Sequence, residues 1–264
     1  MDLKTDETEN YKIQLMDSFK SFIMGLLHHF KFIDNSGNLN SIDHSVNLYI
    51  QNRESKQSIL RRVWNLRAEN WIASETMGNY FATMQTFLEN LKYKGPNKSE
   101  RFLSLGSGPG VYETFLATYF MAYGLNIHQI CLDYAKGMTD FHKKILNVTK
   151  SQDQNGEVKS LTNITLITGD MTLLPLPDNS ISQVFCNNSL QWVPDWRAAV
   201  REIARVMDPN ELGYLYLFIH NHPMTVVTND SSKPISIPSP NLQELLQYLE
   251  DLKFNPLFIR SMGS

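Results

Sequence analysis

The sequence predicts an α/β fold in which a doubly wound, mostly parallel sheet follows an N-terminal helical extension. Three observations point to this class. Apolar residues recur at helical spacing in the first third of the chain, short apolar runs then alternate with helical segments, and a glycine-rich turn joins the first run to the next helix. Strands that alternate with helices form βαβ units with a parallel sheet. We divide the chain into a helical extension over residues 1–95 and an α/β core over residues 96–264.

Three helices are predicted in the extension. Apolar residues return at helical spacing over Tyr11–Ile33, whereas residues 1–10 are polar and acidic and are expected to be disordered or frayed. A second helix is expected over residues 56–70. The third begins near Met77 and ends at Lys94-Gly95-Pro96-Asn97, because glycine and proline stop a helix.

The core is predicted to alternate between strands and helices. The expected strands are Phe102–Leu105, Ile127–Leu132, Ile164–Thr168, Gln183–Cys186, Tyr214–Ile219 and Leu257–Ile259. The expected helices are Val111–Tyr123, Met138–Val148, Arg197–Met207 and Leu242–Leu252. Between them, Asn221–Pro240 is interpreted as a loop that is too long for a plain connection, since it holds four of the eleven prolines.

Composition narrows the class of protein. The chain has 264 residues, of which 42% are hydrophobic and 19% charged, and its net charge of −3 does not suggest a nucleic-acid partner. If the chain has a local basic patch that could bind an anionic partner, Lys56–Arg67 is where we expect it, although a solvated helix face is the simpler interpretation. There is no signal-peptide pattern and no apolar run of membrane-spanning length, and no His and Cys cluster with zinc spacing. We therefore expect a cytoplasmic protein with no membrane or metal partner.

The glycine-rich turn is the first candidate for a binding site. Gly106, Gly108 and Gly110 follow the first core strand and precede a helix. Glycine permits a tight turn and a close approach of the backbone to a ligand, and the N–H groups at a helix start favour a carboxylate or a phosphate. The pattern alone is weak, because nicotinamide dehydrogenases use a similar turn.

Acidic residues follow the next two strands. Asp133 ends the second strand. In a doubly wound sheet a carboxylate at this position lies in the same crevice as the glycine turn, where it can accept hydrogen bonds from both hydroxyls of a ribose. Gly169-Asp170-Met171 ends the third, where Asp170 can accept an adenine amino group while Met171 covers the ring. The alternative for both aspartates is a helix cap or turn at a βα junction.

The fourth strand ends in amides and an aromatic ring. The segment Asn187-Asn-Ser-Leu-Gln-Trp-Val-Pro-Asp-Trp196 places Asn187, Gln191 and Trp192 directly after an apolar run. We expect these side chains beside the reactive end of the bound cofactor.

Together these motifs resemble those of class I S-adenosylmethionine-dependent methyltransferases, which have a Rossmann-like fold. The resemblance covers about residues 100–220, and Leu-Gln-Trp-Val-Pro-Asp is similar to the branch with trans-aconitate and malonyl-carrier-protein methyltransferases. It implies S-adenosylmethionine as cofactor and S-adenosylhomocysteine as product. The implied cofactor contacts are Gly106, Ser107 and Gly108 with the methionine part, Asp133 with the ribose, Tyr134 near the adenosine, Asp170 and Met171 with the adenine, and Asn187–Gln191 near the sulfonium.

The resemblance also has two structural consequences. The family's strand order, 3-2-1-4-5, would put the strands of Cys131 and Cys186 on either side of the first strand, too far apart for a disulfide, so both are expected to be free thiols. In the first loop, Ser104 and Ser107 stand where the family usually has Asp and Cys. Both serines are small enough to fit, so cofactor binding is still expected.

No clear general base emerges. His220 and His222 follow the fifth strand and are candidates, although loop histidines more often bond to backbone. The extension is expected to form a lid, from which Arg67 could pair with the cofactor carboxylate. Ordinary contacts between helices are the alternative.

The acceptor is open at this stage. The resemblance favours a small carboxylate, and a small amine or a peptide natural product is the alternative. A non-catalytic cofactor-binding protein and a nicotinamide dehydrogenase are the rival classes; for the latter, Val111 occupies the position of the third glycine. The oligomeric state is not predicted.

Overall fold

A five-stranded parallel sheet forms the centre of the computed structural model. The structure describes residues 5–34, 36, 55–74, 77–90, 99–149, 151–152, 158–209, 213–219, 224–226, 235–237 and 240–255. The helices are α1 (Thr5–His29), α2 (Lys56–Arg67), α3 (Trp71–Ser74), α4 (Met77–Asn90), α5 (Val111–Ala122), α6 (Lys136–Val148), α7 (Trp196–Val206) and α8 (Leu242–Asp251). The strands are β1 (Glu100–Leu105), β2 (Ile127–Asp133), β3 (Ser151–Gln152), β4 (Val158–Lys159), β5 (Ile164–Thr168), β6 (Gln183–Asn187), β7 (Tyr214–Phe218), β8 (Met224–Val226) and β9 (Ile235–Ile237).

The sheet has the strand order β5-β2-β1-β6-β7, and every neighbouring pair is parallel. Numbered along the chain, this is the predicted order 3-2-1-4-5. Cys131 on β2 and Cys186 on β6 lie on opposite sides of β1, and both are buried free thiols, as expected. The carboxyl ends of β1, β2, β5 and β6 therefore meet at one edge, where an open α/β sheet binds its ligand.

The helical extension shares a hydrophobic core with the sheet. On α1, the ring of Phe19 lies 4.9 Å from that of Phe115 on α5. On α4, the ring of Phe87 lies 5.8 Å from Phe102 on β1 and 5.0 Å from Phe185 on β6. One continuous apolar cluster thus crosses the boundary predicted at residue 95. A second cluster, on the other face of the sheet, is formed with α7 and α8.

Several predicted details are wrong. Helix α1 begins at Thr5, so residues 5–10 are helical rather than frayed. Glu7 and Glu9 are good helix formers, and acidic residues near a helix N-terminus interact favourably with its dipole. The predicted loop Asn221–Pro240 contains a two-stranded antiparallel pair, β8 with β9, whose short runs are rich in β-branched residues. The pair β3 and β4 and the single-turn helix α3 were not predicted. The strand expected over Leu257–Ile259 lies outside the described residues.

Candidate functional site

A cavity lies at the carboxyl ends of the strands and beneath the N-terminal helices. It contains about 1050 Å³ of empty space, part of which is open to solvent. The lining includes most of the site residues predicted from the sequence: Gly106, Ser107, Gly108, Asp133, Tyr134, Asp170, Met171 and Asn187. Residues that are up to 81 positions apart in the chain are therefore brought to one place, as the end of a doubly wound sheet requires.

The glycine turn packs closely against its neighbours. Gly106 has a φ of +64°, and a Cβ atom there would lie 2.2 Å from the Cβ of Ser189. The N–H groups of Gly106 and Ser107 both donate to the carbonyl of Leu132, at 2.8 and 3.1 Å. These two N–H groups are therefore bonded to β2, and the expectation that N–H groups at the start of α5 favour an anionic group stays a prediction.

Asp133 is held in place by backbone donors. Its Oδ1 accepts from the N–H of Ala135 at 2.8 Å and its Oδ2 accepts from the N–H of Gly108 at 2.9 Å. The side chain is 8% exposed, and burial raises its pKa to about 6, although the two backbone hydrogen bonds lower it. Each carboxylate oxygen can accept more than one hydrogen bond, so ribose hydroxyls remain possible partners. The hydrogen bond with Ala135 also fits the alternative of a turn residue.

Asp170 joins the core to helix α2. Its Oδ1 accepts from both the N–H and the hydroxyl of Thr172 at 2.8 Å, which is a local turn, and its Oδ2 accepts from the Nε2 of Gln57 at 2.5 Å. Met171, next to it, is buried and lines the cavity. The carboxylate that is expected to meet an adenine amino group is therefore bonded to a carboxamide of the extension.

The turn after β6 divides into cavity-facing and buried residues. Asn187 lines the cavity, and its Oδ1 has no hydrogen-bond partner among the described residues. Trp192 lines it as well. Gln191, predicted to lie near the reacting atoms, is fully buried on the 3-10 turn Leu190–Trp192 and is not among the residues that line the cavity.

The extension covers the site mainly with α2 and α3. Trp64 on α2 packs edge-to-face against Trp71 on α3 at 5.0 Å and against Trp192 at 4.9 Å, between ring centroids. Nearby, the guanidinium of Arg61 lies 4.6 Å from the ring centroid of Tyr134. The expected lid thus has direct contacts with the core. Arg67, in the last turn of α2, does not line the cavity, so its pairing with a cofactor carboxylate stays a prediction.

The histidine candidates are not placed by the structure. His220 and His222 lie outside the described residues, and a role for either stays a prediction. Within the described ranges, no group of three or more His, Cys, Asp or Glu residues could hold a metal ion. In the same ranges, no helix has both the length and the apolar character needed to cross a bilayer.

Glu113 is a cavity-lining residue that the sequence patterns did not predict. It lies in the first turn of α5, lines the cavity and is 1% exposed. Its Oε1 accepts from the hydroxyl of Ser104 at 2.5 Å, while no described residue donates to its Oε2. Burial raises its pKa to about 7, and the nearby Asp133 acts in the same direction. The available signal was an acidic residue three positions after the last glycine of the turn.

The raised pKa values of Glu113 and Asp133 predict how stability depends on pH. A carboxyl group whose pKa is higher in the folded than in the unfolded protein stabilises the fold below its unfolded pKa, and this stability is lost as the pH rises through the folded pKa. The free energy of unfolding should therefore fall by a few kcal/mol between about pH 4.5 and pH 7. Urea unfolding across this range measures it, and the fall should become smaller in Glu113→Gln. An equal slope in that variant would contradict the assignment.

The cavity lining contains several acidic and aromatic side chains. Its charged lining residues in the described ranges are Glu113, Asp133 and Asp170, and neither Lys, Arg nor His is among them. Its aromatic lining residues are Trp64, Trp71, Tyr80, Tyr112, Tyr134 and Trp192. The lining is therefore acidic and aromatic, which suits a cationic or neutral ligand group better than an anionic one.

The arrangement fits an S-adenosylmethionine site. Asp133 ends β2, Asp170 follows β5, and the glycine turn follows the adjacent strand β1. Two buried carboxylates, Glu113 and Asp133, line the space that a cationic cofactor would fill. The buried oxygens of Glu113 and Asn187 that lack partners in the described part of the chain supply acceptors for its polar groups. The fold and this cavity agree with the resemblance of the sequence motifs to class I S-adenosylmethionine-dependent methyltransferases.

Comparison with known proteins agrees with that class. Residues 103–217 match the family described as a methyltransferase domain. The chain is 29% identical over 125 residues to a malonyl-[acyl-carrier protein] O-methyltransferase of Methylococcus capsulatus, covering 47% of this chain and 39% of that protein. It is 39% identical over 70 residues to a demethylmenaquinone methyltransferase of Staphylococcus epidermidis, covering 26% of this chain and 27% of that protein. Residues 103–217 therefore resemble a methyltransferase domain.

A solved structure supports the fold over a longer part of the chain. The [4+2]-cyclase SpnF aligns with a TM-score of 0.51 and 18% identity, covering 75% of this chain and 73% of that one. The curated relatives above are matched over less than half of their own length. The fold also occurs in a protein described as a cyclase, so the fold alone does not determine the reaction.

Proposed function

We propose that this protein binds S-adenosylmethionine in the cavity and transfers its methyl group to a small-molecule acceptor. The observation that carries the proposal is the convergence of Gly106, Asp133, Asp170 and Asn187 on one cavity at the carboxyl ends of four parallel strands. When bound, the cofactor supplies a methyl group that is activated by a positively charged sulfur. We also propose that the protein acts in the cytoplasm.

In this reaction the chain's residues mainly bind, orient and exclude water. Asp133 is fixed by two backbone N–H groups and is suited to hold a ribose. The aromatic rings contributed by α2, α3 and the turn after β6 close the site from above. Alignment of a nucleophile in such a closed site lowers a barrier by about 7–11 kcal/mol, so a strong general base is not required.

The lining favours an amine acceptor over the carboxylate that the motif resemblance suggests. Burial of a carboxylate in a low-dielectric site is costly unless a cation pairs with it, and all the charged groups of the described lining are carboxylates. An amine in its ammonium form is attracted by Trp faces and carboxylates, and the neutral form of the same amine is a nucleophile. We therefore infer that the acceptor is a small amine, with O-methylation of a carboxylate as the alternative.

A matched pair of acceptors tests this inference. Radiolabelled S-adenosylmethionine should methylate 2-phenylethylamine at a higher kcat/KM than 3-phenylpropionate, which has a similar skeleton but carries the opposite charge. Preferential methylation of the acid would contradict the amine assignment. Trp64→Leu should raise KM for the amine by roughly tenfold, because the change removes an aromatic face from the site. Tyr123→Leu, at an exposed position after α5, is the control and should change little.

A further inference from the structure

Glu113 occupies an unusual position for a carboxylate. It is almost fully buried, yet it borders the cavity at the carboxyl ends of the strands. One oxygen accepts from Ser104 at 2.5 Å, and the other has no partner among the described residues. A buried charged group without full hydrogen bonding is costly, and completion by a bound group is one way to offset that cost.

The charges around Glu113 indicate the sign of that ligand. Asp133 is the charged neighbour whose field acts on Glu113, and it too is a buried carboxylate. None of the described residues that line the cavity carries a positive charge. A cation bound in this space would stabilise the ionised forms of both carboxylates. The Glu113 oxygen that has no hydrogen-bond partner among the described residues is where we expect this cation to bind.

The position in the chain narrows the choice of cation. Ser104 is on β1 and Glu113 is on α5, so the pair bridges the two ends of the glycine turn. Asp133, which is suited to the ribose, lies on the neighbouring strand. A ligand whose ribose is held by Asp133 and which extends along the glycine turn would bring its amino-acid end toward Glu113.

We propose that Glu113 binds the α-ammonium group of the methionine part of S-adenosylmethionine. The inference rests on the proposed function, because it assigns one contact within that cofactor site. Ser104 donates to Oε1 and so orients the carboxylate, leaving Oε2 to accept from the ammonium. Glu113 thus brings a carboxylate to Ser104, the position where related first loops carry an aspartate.

Calorimetry with two ligands tests this contact in the full-length protein. The first is S-adenosylhomocysteine, and the second is the same molecule with hydrogen in place of the amino group. Wild-type protein at pH 7.5 should bind the first at least about tenfold more tightly, because a charge-assisted hydrogen bond is lost with the second. In Glu113→Gln this preference should fall to about threefold or less. Glu69→Gln, an exposed position with the same change in charge, should retain the full preference.

The possible outcomes separate this inference from the proposed function. If wild-type protein binds both ligands equally, or if Glu113→Gln retains the full preference, the ammonium contact is wrong even though the cofactor site stands. If wild-type protein binds neither ligand, nor 5′-methylthioadenosine, which lacks the whole amino-acid part, both the contact and the proposed function are wrong. Should Glu113→Gln fail to fold by circular dichroism, the wild-type preference between the two ligands still decides the matter.

Discussion

Replacement of Gly110 by alanine is expected to destabilise the protein by roughly 3–4 kcal/mol, the sum of backbone strain and steric overlap. Gly110 has a φ of +73° and precedes the first residue of α5. A Cβ atom there would lie 2.0 Å from the ring of His142, a fully buried histidine on α6 whose Nε2 is bonded to the hydroxyl of Thr114 at 3.1 Å. Neither the backbone nor the buried ring can move away without breaking the packing of α5 against α6. Urea unfolding of the two proteins measures the difference.

Gly108→Ala separates the two contributions. Gly108 has a φ of +56°, but a Cβ atom there would have no neighbour within 4 Å. This variant should lose only about 1–2 kcal/mol, the cost of the left-handed backbone conformation for alanine. Equal destabilisation of the two variants would show that contact with His142 contributes nothing, and the packing argument would then be wrong.

Asp133→Asn should weaken the binding of S-adenosylhomocysteine by roughly 100-fold. If the carboxylate holds two ribose hydroxyls, the change removes the charge from two hydrogen bonds, each worth about 1.5–3 kcal/mol to a charged group. Isothermal calorimetry measures the affinity. A loss of affinity of this size also requires that no neighbouring side chain can bind the ribose hydroxyls in place of Asp133.

Asp140→Asn is the matched control for Asp133→Asn. Asp140 is on α6, pairs with Lys136 and Lys143 at the surface and has its pKa lowered by the hydrogen bond from Lys136. The same change in charge there should leave the affinity within about twofold, since exposed ion pairs contribute little. An unchanged affinity in Asp133→Asn would remove the ribose assignment and would favour the interpretation of Asp133 as a turn residue.

The sequence allows the sheet and most of its strand ends to be predicted, because strong local patterns determine them. The apolar runs of β1, β2 and β5 end at glycine or acidic residues and that of β6 ends at an asparagine, and the strand order confirms how these ends meet. By contrast, β8 and β9 are only three residues each, and such short runs are not separable from a proline-rich loop by periodicity.

The sequence predicts most of the residues that line the cavity, but it does not predict all the contacts that their side chains make. Residues that follow the strands converge as expected, but Gln191 points into the protein because a 3-10 turn follows β6 and buries it. Glu113 and Gln57 were not found, since their roles depend on side chains from an adjacent helix and from the extension. No pattern in one sequence indicates which helical residue will lie opposite a given strand end.

The most direct test of the central claim is a calorimetric titration of the wild-type protein with S-adenosylhomocysteine, compared with NAD under the same conditions. The account predicts binding of one S-adenosylhomocysteine per chain and no measurable heat from NAD. Binding of NAD in preference to S-adenosylhomocysteine would contradict the account, as would failure of S-adenosylhomocysteine to bind to a protein that is folded by circular dichroism.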